Sequence, residues 1–344
     1  MDQAMSSLTR ATESFLAIPR TQGAITKLQL KLYLINNYSC NIGPLVSETV
    51  DTGILKDLDL AILDEKEIAD CTDEQMLQQA VVVNGFFTAY PSVLHCVTKL
   101  SLYNLCFAEW DMHHHLFVCC KQLRHLILSN CDVGLHKVWK IDAPDSKLTV
   151  LELDYCCFVI IFAHVFALSF RKLWIQAEGK QLCNGFNTLR RLSIYGIFAQ
   201  LDLLWTIVLL EAAPSLEIFD IEVWEHPCQI NERRTIRHER ANPSWDLAKL
   251  ARSNNSSLKE LQIIGFRPLE QQLLFIKAVM ERAPNMAAVV LKYDDPCEDC
   301  EAMGTFPPRS STDCMFPINK DEQDIVVNLI RFGVFSPAQI ISET

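Results

Sequence analysis

An α/β architecture of stacked strand–helix repeats around a parallel sheet is what this sequence predicts. Three observations predict it. A short apolar pattern (apolar, two residues, apolar, one residue, apolar) recurs ten times along the chain. Its copies are spaced at near-regular intervals. Helical segments with recognisable ends lie between several copies, and two of them run through a proline into the next copy.

The clearest copies are Leu123 to Cys131 (LRHLILSNC) and Leu148 to Cys156 (LTVLELDYC). Both match the leucine-rich-repeat template L-x-x-L-x-L-x-x-N/C. Looser copies centre on Leu28 (ITKLQL), Leu58 (LKDLDL), Leu100 (VTKLSL), Leu173 (FRKLWI), Leu192 (LRRLSI), Phe219 (LEIFDI), Leu261 (LKELQI) and Val289 (MAAVVL). Most centres are 19–30 residues apart, and two gaps of 42, at 58–100 and 219–261, imply insertions. The alternation within each copy is a short strand with one buried face. One such unit cannot bury that face alone, so the units must stack. The terminal cysteines, Cys131 and Cys156, are expected where a small apolar side chain lets the backbone turn. The predicted fold is therefore a leucine-rich-repeat solenoid: about ten strands in a curved parallel sheet on the concave face, helices on the convex face, and a C-terminal capping helix.

The helices carry their own signals. Thr72 followed by Gln75 is a capping box, and Asn84-Gly85 is expected to end that helix. Leu201 to Ala213 reads as helix up to Pro214. Leu269 to Ala283 starts after Pro268, a first-turn residue, and stops at Pro284. From Asp294 the repeat pattern breaks, and Pro307-Pro308 marks a loop. Asp321 to Phe332 is a short amphipathic helix closed by Gly333, expected to cap the last repeat.

Composition sets the outer limits. The chain has 344 residues, 49% of them hydrophobic, which excludes a disordered chain. Its 42 acidic residues outweigh 31 basic ones for a net charge of −11, which argues against nucleic acid as the partner. Only 11 glycines are present and none forms a phosphate-binding loop. The 14 cysteines would suggest disulfides in an exported protein, but the N-terminus lacks the basic start and apolar run of a signal peptide. Reduced thiols and a cytoplasmic or nuclear location follow. The glycosylation triplets at Asn37 and Asn254 carry no meaning there. Cys156 to Phe170 is fifteen residues without formal charge, short of the roughly 20 that a spanning helix needs. It is expected to be a buried segment, with no membrane partner.

Candidate chemistry is sparse. Cys297 and Cys300, with Cys314 nearby, lack the second pair that a structural zinc site needs. His113, His114 and His115 precede an apolar stretch and suit a convex-face helix. Asn231 to Arg240 is the only basic cluster and reads as a solvated insertion in the second long gap. No nucleophile elbow or Walker sequence is present, so neither an enzyme nor a cofactor is expected. What remains is a surface. Residues flanking the buried leucines point to the concave face. They are Asp57 and Asp59; Lys99, Ser101 and Tyr103; His125, Ile127 and Ser129; Glu152 and Asp154. Further along come Trp174 and Gln176; Arg191, Ser193 and Tyr195; Asp220 and Glu222; Glu260 and Gln262. Tyr103, Trp174 and Tyr195 are aromatic anchors of the kind enriched at protein interfaces.

Several phrases resemble plant F-box/LRR proteins, particularly those of grasses. They are Phe117 to Asp132, Ile141 to Leu153 and Phe198 to Ile221. Leu258 to Met280 is similar to the FBD-type C-terminal module of that family. The resemblance runs from about Ile25 onward. It implies a substrate-recruiting LRR array that works with an N-terminal F-box docked on a Skp-type adaptor in an SCF ubiquitin ligase. No F-box phrase occurs before Ile25, and Ser14-Phe15-Leu16 looks like the segment that follows one. That speaks against adaptor docking. The implied organisation is 1–24, a fragment following a missing F-box; 25–293, the LRR array, FBD-like over 230–293; and 294–344, a loop and capping segment. The implied function is a non-catalytic protein-recognition module for an unidentified protein substrate. A free-standing scaffold or decoy, or a small-molecule sensor on the concave face, remains the alternative.

Overall fold

The computed structural model describes residues 2–16, 25–34, 38–66, 70–108, 111, 114–133, 139–141, 143, 145–156, 159–162, 166–169, 186–198, 203–224, 254–294 and 316–343. The chain divides into two units, Met1–Ile161 and Phe162–Thr344.

In the first unit five parallel strands pair in chain order: β1 (Leu28–Tyr33), β2 (Leu58–Leu63), β3 (Val97–Tyr103), β4 (His125–Ser129) and β5 (Val150–Asp154). Each strand therefore sits beside the one before it, the connectivity of a solenoid. The registers align Leu30, Leu60, Leu100, Leu126 and Leu151 in one row and Leu32, Ile62, Leu102, Leu128 and Leu153 in the next. All ten side chains are at most 4% exposed. A fully buried leucine contributes roughly 1.5–3 kcal/mol, so these rows are the core of the unit. The register also corrects the repeat alignment. Leu100 stands beside Leu60, not Leu58, and Leu58 faces Val97 across an irregularity at the start of β3. A shift of two residues keeps the same face buried, which is why the apolar pattern hid it.

Four helices accompany these strands: α1 (Asp2–Leu16), α2 (Tyr38–Asp51), α3 (Asp73–Ala89) and α4 (Pro91–Cys96). The gap at 58–100 holds two of them, α3 and α4, where an ordinary repeat has one. The capping box on α3 forms as expected: Gln75 N donates to Thr72 Oγ1 at 3.3 Å and Thr72 N to Gln75 Oε1 at 2.9 Å. The helix does not end at Asn84-Gly85 but continues to Ala89. Val83, Phe86 and Phe87 are buried along it, so core packing overrides the local stop signal. α1 and α2 were not visible as helices in the sequence. α1 buries Met5, Thr9 and Thr12 on one face and packs against α2.

The second unit repeats the plan with β6 (Arg191–Phe198), β7 (Ile218–Trp224), β8 (Glu260–Ile264), β9 (Ala288–Lys292) and β10 (Gln339–Glu343), again parallel and in chain order. Leu192, Phe219, Leu261, Val289 and Ile340 share one row, and Ile194, Ile221, Ile263, Leu291 and Ser342 the next. α5 (Ile207–Ala212), preceded by a 3₁₀ turn Leu203–Thr206, α6 (Glu270–Arg282) and α7 (Lys320–Arg331) lie between strands. α6 has Leu269 as its N-cap, so Pro268 falls just outside the helix. The expected C-terminal helix is present as α7, capped by Asn319. It is followed by β10, a strand the sequence did not announce because its only apolar pair is Ile340-Ile341. Buried Asn255 ties this unit together. Its Nδ2 donates to the carbonyls of Leu210 and Ala213 at 3.0 Å, and its Oδ1 accepts from the amides of Ser257 and Leu258.

The expected strand around Leu173 and the gap at 225–253 lie outside the described residues. The uncharged run Cys156–Phe170 contains two four-residue strands, Val159–Phe162 and Phe166–Ser169, rather than a helix. Among the described residues no helix is long and apolar enough to cross a membrane.

The chain leaves the strands in a shared way. Asn104, Asn130, Tyr155 and Gly265 stand two residues beyond the inward-pointing Leu102, Leu128, Leu153 and Ile263, and all have positive φ, between 49° and 72°. The turn therefore lies one residue before Cys131 and Cys156, not at the cysteines as the sequence suggested. Asparagine tolerates this conformation better than most side chains. In the first unit the turn residues also bond to each other. Asn130 Nδ2 donates to Asn104 Oδ1 at 2.7 Å, and Asn104 Nδ2 donates to Asp64 Oδ2 at 2.9 Å. The cysteines that follow are buried and point their thiols back. Cys156 Sγ donates to Leu128 O at 3.0 Å and Cys131 Sγ to Leu102 O at 3.6 Å. Burial, with Cys131 alongside, pushes the Cys156 thiol well above its ordinary value, and burial pushes Cys120 up to about 12.

Two expectations follow. Gly265 has φ +72°, and a Cβ there would meet Val223 O at 2.1 Å. Gly265→Ala should cost about 2–4 kcal/mol in denaturant melts, from strain plus overlap with backbone that cannot swing away. An unchanged midpoint would mean the turn is not held as described. The raised thiols make a second. Folded Cys120 keeps its proton up to about 12 while the ordinary thiol loses it near 9.0, so its contribution is whole below 9.0 and is lost as pH rises towards 12. Melting temperature should fall across that window, and Cys120→Ala should make the fall shallower.

Candidate protein-binding strand faces

The strand residues that do not enter the core form the opposite face of each sheet. In the first unit they fall into rows. Lys99, His125 and Val150 are neighbours in register, then Ser101, Ile127 and Glu152, then Tyr103, Ser129 and Asp154. Strand pairing thus brings together residues some 25 positions apart in the chain. His125 Nε2 meets Glu152 Oε1 at 2.5 Å, with both side chains about a quarter exposed. Tyr103 is half-buried beside this pair. Burial, followed by the charges of Asp154 and Glu152, holds its hydroxyl above the ordinary tyrosine value. At the edge of the face Asp59 accepts from Lys27 Nζ at 2.8 Å and Gln29 Nε2 at 2.9 Å. Burial opposes the resulting shift, but these bonds lower its carboxyl below the ordinary range.

In the second unit the rows are Arg191, Ile218, Glu260 and Ala288, and then Ser193, Asp220, Gln262, Val290 and Ile341. Asp220 is the centre. Its Oδ2 accepts from Arg191 Nε and from Ser193 Oγ, both at 2.8 Å, and the residue is 1% exposed. Oδ1 is buried without a hydrogen-bond partner. Glu222 is engaged locally: its Oε2 accepts from Gly196 N at 2.9 Å, where Tyr195 and Gly196 together oppose it in a bulge. Gln262 Nε2 donates to Glu260 Oε1 within β8. Beneath the face, at the strand entrances, Glu217 bridges Arg190 at 2.7 Å and Lys259 at 2.6 Å.

The sequence placed these residues on the strand face away from the core, and within each unit the registers do so too for those that are described. Exposure separates them. Ser101, Ser129, Ser193 and Asp220 are buried and form the floor of the faces, not their surface. Lys99, Tyr103, His125, Ile127, Glu152, Asp154, Arg191, Tyr195 and Glu222 keep partial exposure. Trp174 and Gln176 lie outside the described residues. Ile218, Val290, Ile264 and Ile341 share the second face and went unnamed in the sequence, although the same alternation marks them. Of the other candidates, His114 and His115 sit in a π-helical turn, His114–Cys119, and not in an α-helix. His113, Cys297, Cys300, Cys314 and Asn231 to Arg240 lie outside the described residues. Among the described residues no group of three or more metal-ligating side chains converges.

Arg191 and Asp220 should respond unequally to mutation. Arg191→Ala leaves a buried carboxylate with Ser193 alone and should cost about 1–2 kcal/mol, reduced because Arg191 is itself partly exposed. Asp220→Asn removes the charge but keeps an acceptor, and should cost within about 1 kcal/mol. Urea melts of the two variants compare them, and an equal or reversed order would show that the ion pair is not what holds Asp220.

Residues 176–323 match the family model described as the LRR domain of At1g61320/AtMIF1, which is less than half of the chain. No curated protein matches the sequence. Parallel strands in chain order, paired leucine rows and this likeness agree: the fold is that of a leucine-rich-repeat array.

Proposed function

We propose that the chain is a non-catalytic recognition module that binds another protein through the strand faces of its repeats. Within that reading it corresponds to the substrate-recruiting LRR part of an SCF-type ubiquitin-ligase receptor, working in the cytoplasm or nucleus. The observation that carries the proposal is the first strand face. Short parallel strands fix Tyr103, His125, Glu152 and Asp154 in adjacent rows with partly exposed side chains. Such a surface is rigid and mixed in character: an aromatic anchor among charged groups, the make-up of a protein interface. The ligase assignment is supported by the resemblance of Phe117 to Asp132, Phe198 to Ile221 and Leu258 to Met280 to F-box/LRR proteins.

Two experiments test the two levels. A photo-crosslinking residue at position 103 should capture a partner that a crosslinker at exposed Leu274, on α6, does not. Tyr103→Ala should weaken that complex about 30-fold with an unchanged melting temperature. Capture from Leu274 alone, or a complex indifferent to Tyr103, would reject the strand face as the binding surface. The chain should also be run with a plant Skp-type adaptor on size-exclusion chromatography. Co-elution supports a ligase receptor. Separate elution of a folded chain favours a free-standing scaffold.

A further inference from the structure

β10 pairs with β9 along one edge, and among the described residues no strand pairs with its other edge. The hydrogen bonds fix which backbone groups are spent. Gln339 N donates to Ala287 O at 2.8 Å and Tyr293 N donates to Glu343 O at 3.0 Å. In a parallel pair, alternate residues turn both backbone groups to the same neighbour. Gln339, Ile341 and Glu343 therefore face β9, and Ile340 and Ser342 turn their N–H and C=O outward. Strand edges are commonly blunted by lysine, proline or a bulge. Residues 339–343 (QIISE) contain no lysine or proline, and β9 and β10 pair in unbroken register.

We propose that this edge is self-complementary and pairs β10 antiparallel with β10 of a second copy of the chain. With the two-fold axis at Ile341, each Ile340 stands opposite Ser342 of the other copy. That arrangement exchanges four hydrogen bonds and satisfies the four outward groups of each strand. Ile341 meets its own counterpart as a non-hydrogen-bonded pair, the closer of the two pair types, which suits two apolar side chains. Ile341 is 37% exposed and neighbours Val290, which is 6% exposed, so the contact extends the apolar pair Val290–Ile341 at the end of the second strand face. The charges agree. Glu343, with Lys292 Nζ 3.6 Å away, faces neutral Gln339 of the other copy. The two Glu343 side chains stand at opposite ends of the pair, about 13 Å apart along the strand and beyond a Debye length at physiological salt. Phe335, fully exposed at the strand entrance, adds apolar surface at each end. One strand pair buries less than the roughly 800 Å² per partner of a standard stable interface. The dimer is therefore weak and concentration-dependent. It joins two copies of the second strand face edge to edge.

Sedimentation velocity on the full chain, from low to several hundred micromolar, should show the mass rising from monomer to dimer. Added salt should strengthen the association by screening the net charge of −11. Ser342→Pro removes an outward donor and leaves the bonds to β9 intact. Ile341→Lys sets two like charges face to face. Each should weaken the dimer at least about tenfold, with melting temperature held. Hydrogen exchange gives a readout that needs no variant: the amides of Ile340 and Ser342 should slow as wild-type concentration rises. A chain that stays monomeric with those two amides exchanging fast overturns the proposal. So does a dimer that forms while they remain fast, because its contact lies elsewhere.

Discussion

Two rows of apolar side chains, held in register by parallel strands, are the constraint on which the rest of this structure depends. In the first unit they run from Leu30 to Leu151 and from Leu32 to Leu153. No single repeat can bury its own contribution. Leu126 is shielded by Leu100 on one side and Leu151 on the other, and neither neighbour is close to it in the chain. Stability is then carried by contacts between adjacent repeats, and damage to one repeat is passed to the two beside it. The same registers determine the outer face. Once Leu126 and Leu128 point inward, His125, Ile127 and Ser129 must point the other way.

The turns at the strand exits are the second requirement. A strand that simply continued would carry its apolar face away from the stack. The left-handed residue at Asn104, Asn130 and Tyr155 redirects the chain at equivalent points, and the bonds from Asn130 to Asn104 to Asp64 lock successive turns together. The second unit solves the same problem with glycine at Gly265, where the carbonyl of Val223 approaches too closely for a side chain. One geometry is thus met by two chemistries: a polar ladder where there is room for side chains, and bare backbone where there is not.

The strand faces owe their character to this frame. Tyr103, His125, Glu152 and Asp154 come from three different repeats and meet only because the registers align them. Asp220 shows how a floor residue shapes the surface above it. Its buried carboxylate fixes the Arg191 side chain through Nε and orients Ser193, so the second face displays a positioned guanidinium. A rigid lattice of short strands presenting variable side chains suits recognition of a folded partner, because few side chains must be ordered on binding.

The period of the leucines determined the fold class, the buried face of nine of the ten described strands and the face on which the described candidate residues stand. The capping box at Thr72 and Gln75 was equally plain, since its partners lie three residues apart. What the sequence by itself left undetermined depends on residues distant in the chain. Leu60, not Leu58, stands beside Leu100, because a two-residue shift leaves the alternation unchanged. α3 passes through Asn84-Gly85 because Phe86 and Phe87 find a core to enter. β10 becomes a strand because β9 offers it an edge, although its own apolar signal is slight. Ser101, Ser129, Ser193 and Asp220 share a face with their exposed neighbours yet are covered by them. Alternation reports direction only. Burial, register and hydrogen-bond partners are properties of the neighbouring strand, and only the tertiary structure supplies that neighbour.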